Sequence, residues 1–188
     1  NPLMLDAVGA EFLKGIREGT LAFYLNILLF ELIQSEALIG ANTLLTGLFS
    51  ILAYWVLGKR LKPSNRIRYM AGGATTMLVC TLILFVFSVI NAFFNNFLLS
   101  PGNGIYYSVV QKTCPTNTES AEFSTVKSFF LDYGRVAGVL LVMLMPKTTY
   151  GSVWGILLLT VLQYAAIFVS SLAAKRLETY VHQEEPVA

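Results

Sequence analysis

Three ionisable side chains sit where water is scarce: Glu31 within LLFELI, and Asp132 with Arg135 in LDYGR. An ionised group at the centre of a membrane helix costs about 2.5 to 3.5 kcal/mol on insertion scales, so each calls for a compensating role. A poorly solvated carboxylate at Glu31 is suited to loading and releasing a proton; the simpler reading is an interfacial glutamate that reaches outside water. Asp132 and Arg135 are spaced i to i+3, so they can meet on a helix surface and offset part of their insertion cost. Counted from Lys127, they lie roughly 7 to 12 Å into their apolar stretch at about 1.5 Å per residue, deep for an interface pair.

Other polar residues fall on helical stripes at about 100° per residue. Arg17, Thr20, Tyr24 and Glu31 form one, Thr43, Thr46, Ser50 and Tyr54 a second, Asn96, Ser100, Asn103 and Tyr107 a third, and Ser128, Asp132 and Arg135 a fourth. Among the tyrosines, Tyr24, Tyr54, Tyr106 and Tyr107 are candidates for an aromatic cavity, whereas Phe93, Phe94, Phe97, Trp55 and Trp154 read as lipid-facing or interfacial anchors. Pro101 removes a backbone donor and is flanked by Gly102 and Gly104, which predicts a kink or local unwinding: a hinge that frees backbone groups, or a static kink. Gly134 and Gly138 form a small-xxx-small pair that permits close helix packing.

These residues must be positioned by membrane-spanning helices. Hydrophobic residues make up 55% of the chain and charged residues 13%, against about 25% charged in a soluble domain. Six apolar stretches, at approximately 15–34, 37–57, 69–90, 93–111, 127–146 and 151–173, are long enough to cross a roughly 30 Å hydrocarbon layer. The segment KRLKPSNRIR holds Lys59, Arg60, Lys62, Arg66 and Arg68 and no acid, as expected of a short cytoplasmic loop under the positive-inside rule. With six spans and both ends inside, Lys14, Arg17, Lys112, Lys127, Lys175 and Arg176 join that loop on the inner side, and Lys147 alone falls outside. A formal charge of +2 assigns the basic loop to topology and anionic lipid rather than nucleic acid. The tail, 174–188, reads as a solvated cytoplasmic end, and a start at Asn1 without Met reads as a piece of a longer chain.

Six helices arranged three plus three, the first of each triplet polar and the third peripheral, resemble one half of a major facilitator superfamily transporter, whose halves each contain an inverted three-helix repeat. The loop GKRLKPSNRIRYMAGG occupies the place of the family's glycine- and arginine-rich loop signature. It lacks the acidic residue of the amino-terminal half, and GRVAG is not the glycine- and proline-rich antiporter signature, so the resemblance is to the carboxy-terminal half. The resemblance implies an all-α polytopic fold, a cavity-lining first helix bearing Arg17, Tyr24 and Glu31, and a role for Asp132 and Arg135 in latching the inner gate. A self-contained ion pair and direct substrate contact are the alternatives for those two residues.

An intramembrane enzyme is a poor fit. The single histidine, His182, lies in the tail; Cys80 and Cys114 lack metal-ligand spacing; and Glu31 and Asp132 lie toward opposite faces. No metal or cofactor is expected. The expected function is secondary active transport by alternating access: proton-coupled export of a small amphipathic compound. The expected partners are the lipid bilayer and a second six-helix half, in the same polypeptide or a homodimer mate. Sugar or metabolite uptake, and a six-span channel or scaffold working alone, are the alternatives.

Overall fold

The computed structural model describes the backbone of residues 2–80, 84–114, 116–144 and 149–184, and the side chains of these apart from 24–26, 28–29, 31–33, 80, 84–87, 149–153, 156 and 182–184. The described residues are all-helical: α1 (Pro2–Ile33), α2 (Glu36–Arg60), a 3-10 turn (Pro63–Asn65), α3 (Arg66–Cys80), α4 (Leu84–Thr113), α5 (Asn117–Leu144) and α6 (Thr149–Glu184).

The local sequence explains several boundaries. Glu36 in the first turn of α2 and Lys59 with Arg60 in its last complement the helix dipole, and Pro63 opens the 3-10 turn beyond it. Before α5, the Thr116 hydroxyl accepts a hydrogen bond from the Glu119 N–H at 3.3 Å, satisfying one of the donors a helix start leaves free. The polar stretch before Lys14 is part of α1, whose Leu3 and Ala7 are buried against Tyr106, Val109 and Val110 of α4. Through the tail α6 stays helical to Glu184, with Leu177 packed on the same cluster and Arg176 paired with Asp6 of α1 at 2.6 Å, while Lys175, Glu178 and Thr179 are exposed.

Contacts between helices fix their directions. Gly15 lies by Leu131 and Gly19 by Arg135, so α1 and α5 run parallel. Ser88 donates to Asn42, Phe93 meets Phe49, and Phe97 joins Ala53 and Leu57, so α2 and α4 also run parallel. Lys14 reaches Asn103 and Arg17 reaches Asn95, which makes α1 antiparallel to α4. Arg66 reaches Ser108 while Gly73 meets Phe97, which makes α3 antiparallel to α4. α1 and α3 are thus parallel to each other and together orient α6: Arg176 pairs with Asp6 near the start of α1, while the earlier Tyr164 meets Thr75 well along α3, so α6 runs against both. Odd helices therefore point one way and even helices the other. The pairing also recurs: α1 lies along α5 as α4 lies along α2, α3 packs on α4 as α6 packs on α1, and α3 meets α6.

The α1–α5 contact is a reciprocal glycine seam. A Cβ at Gly15 would overlap the Leu131 carbonyl, one at Gly134 the Phe12 carbonyl, and one at Gly138 the Ile16 carbonyl. The sequence pointed to Gly134 and Gly138; Gly15, which faces Gly134, and Gly19, which faces Arg135, come from the structure. The main core joins Leu21, Met70, Ala74, Met77, Leu98, Ile105 and Ile167 from α1, α3, α4 and α6. Phe97 is buried in a separate cluster with Ala53 and Leu57 of α2 rather than facing lipid, and the rings of Phe93 and Phe94 tilt against it.

Two segments among the described residues, Glu36–Arg60 and Leu157–Val181, are long and apolar enough to cross a membrane. Only 6% of the apolar window of α2 is buried, with Leu38, Leu44, Leu48, Ile51 and Trp55 exposed.

Candidate functional site

Four charged residues of α1, Glu11, Lys14, Arg17 and Glu18, follow at intervals that place them on one side of a helix. Glu11 is 4% exposed. Its Oε2 lies 3.3 Å from the Lys14 ammonium and its Oε1 3.5 Å from that of Lys127 on α5. Lys14 also donates to Asn103 Oδ1 at 2.9 Å, and Lys127 stands 4.1 Å over the Tyr106 ring. One carboxylate is thus shared by two cations, which lets all three charges sit at the junction of α1, α4 and α5. Arg17, 2% exposed, donates from Nη1 to Asn95 Oδ1 at 2.8 Å.

One turn further along, Arg135 forms the expected bond to Asp132, 2.8 Å from Nη1 to Oδ1. The same guanidinium also donates from Nη2 and Nε to Glu18 Oε2 at 2.8 and 3.1 Å, so it joins α5 to α1. These groups are not sunk in the protein: Asp132 and Arg135 side chains are 68% and 48% exposed, Glu18 19%.

Two cavities flank this line of charge. The larger, about 440 Å³, is bordered by Glu18 of α1, Asn42, Thr43 and Thr46 of α2, and Ser88, Asn91 and Asn95 of α4. That volume is within the range of about 300 to 1,000 Å³ usual for small-molecule sites. Asn91 Oδ1 is buried there with no hydrogen-bond partner among the described residues. The smaller cavity, about 40 Å³, lies between α1, α4 and α6 and is bordered by Glu11, Lys14, Arg17, Tyr106, Gln163 and Ser170, with apolar walls. Arg17 borders the small cavity and its partner Asn95 the large one, so a single hydrogen bond separates them.

Of the residues expected from the sequence, Arg17 and Asn103 meet in the α1 cluster, while Asp132 and Arg135 form a neighbouring pair. Asn96 is buried but donates to its own helix at Ala92 O, 2.9 Å. Ser100 is half-buried and Tyr107 is 70% exposed, and neither borders the two cavities. The side chains of Tyr24 and Glu31 lie outside the described residues. At the expected hinge, α4 stays helical through Pro101 rather than unwinding. Pro101 is buried and Gly102 lies against Met70. A Cβ on Gly104 would stand 3.0 Å from the Arg66 guanidinium carbon, so this glycine makes room for an arginine that donates to Ser108 at 2.9 Å. In the basic loop, Lys59 covers Trp55 at 3.8 Å, while Arg60, Lys62 and Arg68 are exposed. Because of the helix directions, this loop shares one end of the bundle with Lys112, Lys175 and Arg176.

Sequence reasoning passed over Glu11, Glu18 and Asn95. The signal was present as the i, i+3, i+6 run of Glu11, Lys14 and Arg17, but it lies in a stretch that falls mostly before the first apolar run. No group of three or more potential metal ligands occurs among the described residues.

No protein-family model matches the chain, and no solved structure matches it. It is similar to a Bacillus subtilis (strain 168) protein described as the uncharacterized protein YqgE, with 26% identity over 140 residues, covering 70% of this chain and 33% of that protein. The chain thus matches about a third of the length of this curated relative.

Proposed function

We propose that the chain is one six-helix half of a secondary active transporter of the major facilitator type, lying in a cell membrane with both ends cytoplasmic. It works by alternating access against a second six-helix half. The observation that carries this reading is the recurrence of the main helix pairings, α1–α5 as α4–α2 and α1–α6 as α4–α3, when each helix is exchanged with the one three positions on, which is what an inverted three-helix repeat produces. The alternating directions support it by gathering the basic loop and the other terminal cations at one end of the bundle. Lipid, or the second half, covers the apolar surface of α2, since a patch of that size is rare on a water-exposed monomer.

In this reading Glu18, Asp132 and Arg135 join α1 to α5 near the larger cavity and serve coupling or gating. The cargo is a small amphipathic compound exported against protons. A second reading, uptake of a polar metabolite, is favoured by the amide and hydroxyl lining of Asn42, Thr43, Ser88, Asn91 and Asn95. Everted vesicles carrying the whole gene product, energised by respiration and followed with a pH-sensitive dye, test the function. Addition of an exported lipophilic amine is expected to discharge the pH gradient, and loss of the response in Arg135→Gln ties it to the charge line. A gradient untouched by lipophilic amines but discharged by a polyol supports the second reading. A gradient untouched by both overturns proton-coupled transport of either cargo.

A further inference from the structure

We infer that the small cavity between α1, α4 and α6 is a binding site for a small organic monocarboxylate. This goes beyond the transport reading and stands whether or not the chain transports.

The first observation is a charge that the protein leaves open. Arg17 is 2% exposed, yet its only hydrogen bond among the described residues is to the neutral Asn95. No carboxylate among the described residues lies within ion-pair reach of it. Glu11 and Glu18 share its helix, but each is engaged elsewhere: Glu11 by Lys14 and Lys127, Glu18 by Arg135. A guanidinium has five N–H donors, and a buried charge is sustained by an opposite charge and a full set of hydrogen bonds. The charged side chains bordering the cavity are Lys14, Arg17 and Glu11, a local excess of one positive charge. That balance suits a monoanion.

The second observation is independent. Tyr106, also bordering the cavity, keeps its hydroxyl buried with no hydrogen-bond partner among the described residues. An unmet buried hydroxyl costs about 1 to 3 kcal/mol, and a carboxylate oxygen is the acceptor it lacks. Nearby, the Gln163 amide donates to the Met77 sulfur, a weak acceptor, at 4.0 Å. Donors therefore converge here in excess of acceptors.

Size and lining then choose among anions. The cavity of about 40 Å³ holds about three water-sized positions at roughly 10 to 15 Å³ each, enough for an anion of a few heavy atoms. Its remaining wall is apolar, with Met70, Leu98, Ile105, Ala166 and Ile167. A carboxylate with a short alkyl tail meets both surfaces, whereas a halide leaves the apolar wall unused.

The test is thermal unfolding of the purified whole gene product in detergent, titrated with sodium propionate, propionamide or sodium chloride at matched ionic strength. Propionate is expected to raise the melting temperature saturably, and propionamide and chloride to leave it unchanged. Tyr106→Phe retains the ring that stacks on Phe123 and lies under Lys127, and it is expected to weaken propionate binding about tenfold through loss of one hydrogen bond to a charged group. Arg17→Gln is expected to abolish the shift. An equal shift with propionamide, an equal shift with chloride, no shift with propionate, or an unchanged propionate affinity in Tyr106→Phe each overturns the assignment. Because the phenylalanine variant keeps the packing, a misfolded Arg17→Gln does not shield the proposal.

Discussion

Alanine at Gly15 is expected to open the α1–α5 seam, whereas alanine at Gly9 is expected to be harmless. At Gly15 the new methyl would overlap the Leu131 carbonyl oxygen and stand 3.1 Å from the Gly134 Cα. Both obstacles are backbone, so no rotamer change relieves them. The helices must part, and a gap of about 0.5 to 1 Å forfeits roughly a quarter to a half of each dispersion contact along the seam. Overpacking typically costs about 1 to 3 kcal/mol, and backbone obstacles place this case near the upper end. Alanine regains about 1 kcal/mol over glycine in helix propensity, leaving a net loss of about 2. Nothing lies within 4 Å of the point a methyl on Gly9 would occupy, so only the propensity gain applies there. The two variants should thus differ by about 3 kcal/mol, with Gly15→Ala melting at the lower temperature. Thermal unfolding of the whole gene product in detergent measures this. Equal melting temperatures for Gly15→Ala and Gly9→Ala would falsify the glycine seam.

Glu11→Gln should destabilise the protein by about 3 kcal/mol, since Lys14 and Lys127 lose the carboxylate they share in a buried setting; denaturant titration reads the loss, and a change below about 1 kcal/mol contradicts it. Glu18→Gln and Arg135→Gln should each cost less than about 1 kcal/mol, because the arginine is half exposed, and the double variant should cost less than the sum of the two; strictly additive costs count against direct pairing. Gln34 holds a positive φ of 48° between α1 and α2, so Gln34→Gly should stabilise by up to about 1 kcal/mol; a drop in melting temperature refutes strain at that turn. On a background without Cys80 and Cys114, Ser64→Cys should react with an impermeant maleimide only in inside-out vesicles and Ser35→Cys only in right-side-out vesicles. Labelling of both from the same side contradicts alternating spans.

The sequence alone determined the number and type of the helices, because long apolar runs admit little else, and because charge, proline and turn residues punctuate them. It also determined the Asp132–Arg135 contact, since i to i+3 geometry needs no tertiary information. It could not determine which helices touch. Gly134 and Gly138 announce a close approach without naming a partner, and Gly15 and Gly19 entered that contact only when α1 was laid parallel to α5. The buried charges show the same division. Glu11, Lys14 and Lys127 look like terminal, water-facing residues in sequence, because one-dimensional distance from an apolar run stands in for distance from the core. In three dimensions α1 extends back to Pro2 and brings that polar turn between α4 and α5. Phe97 reads as a lipid anchor by type and is buried by position, since hydrophobicity says that a side chain avoids water but not whether lipid or protein covers it. Local chemistry thus fixes the elements, whereas tertiary packing decides which charges are desolvated together.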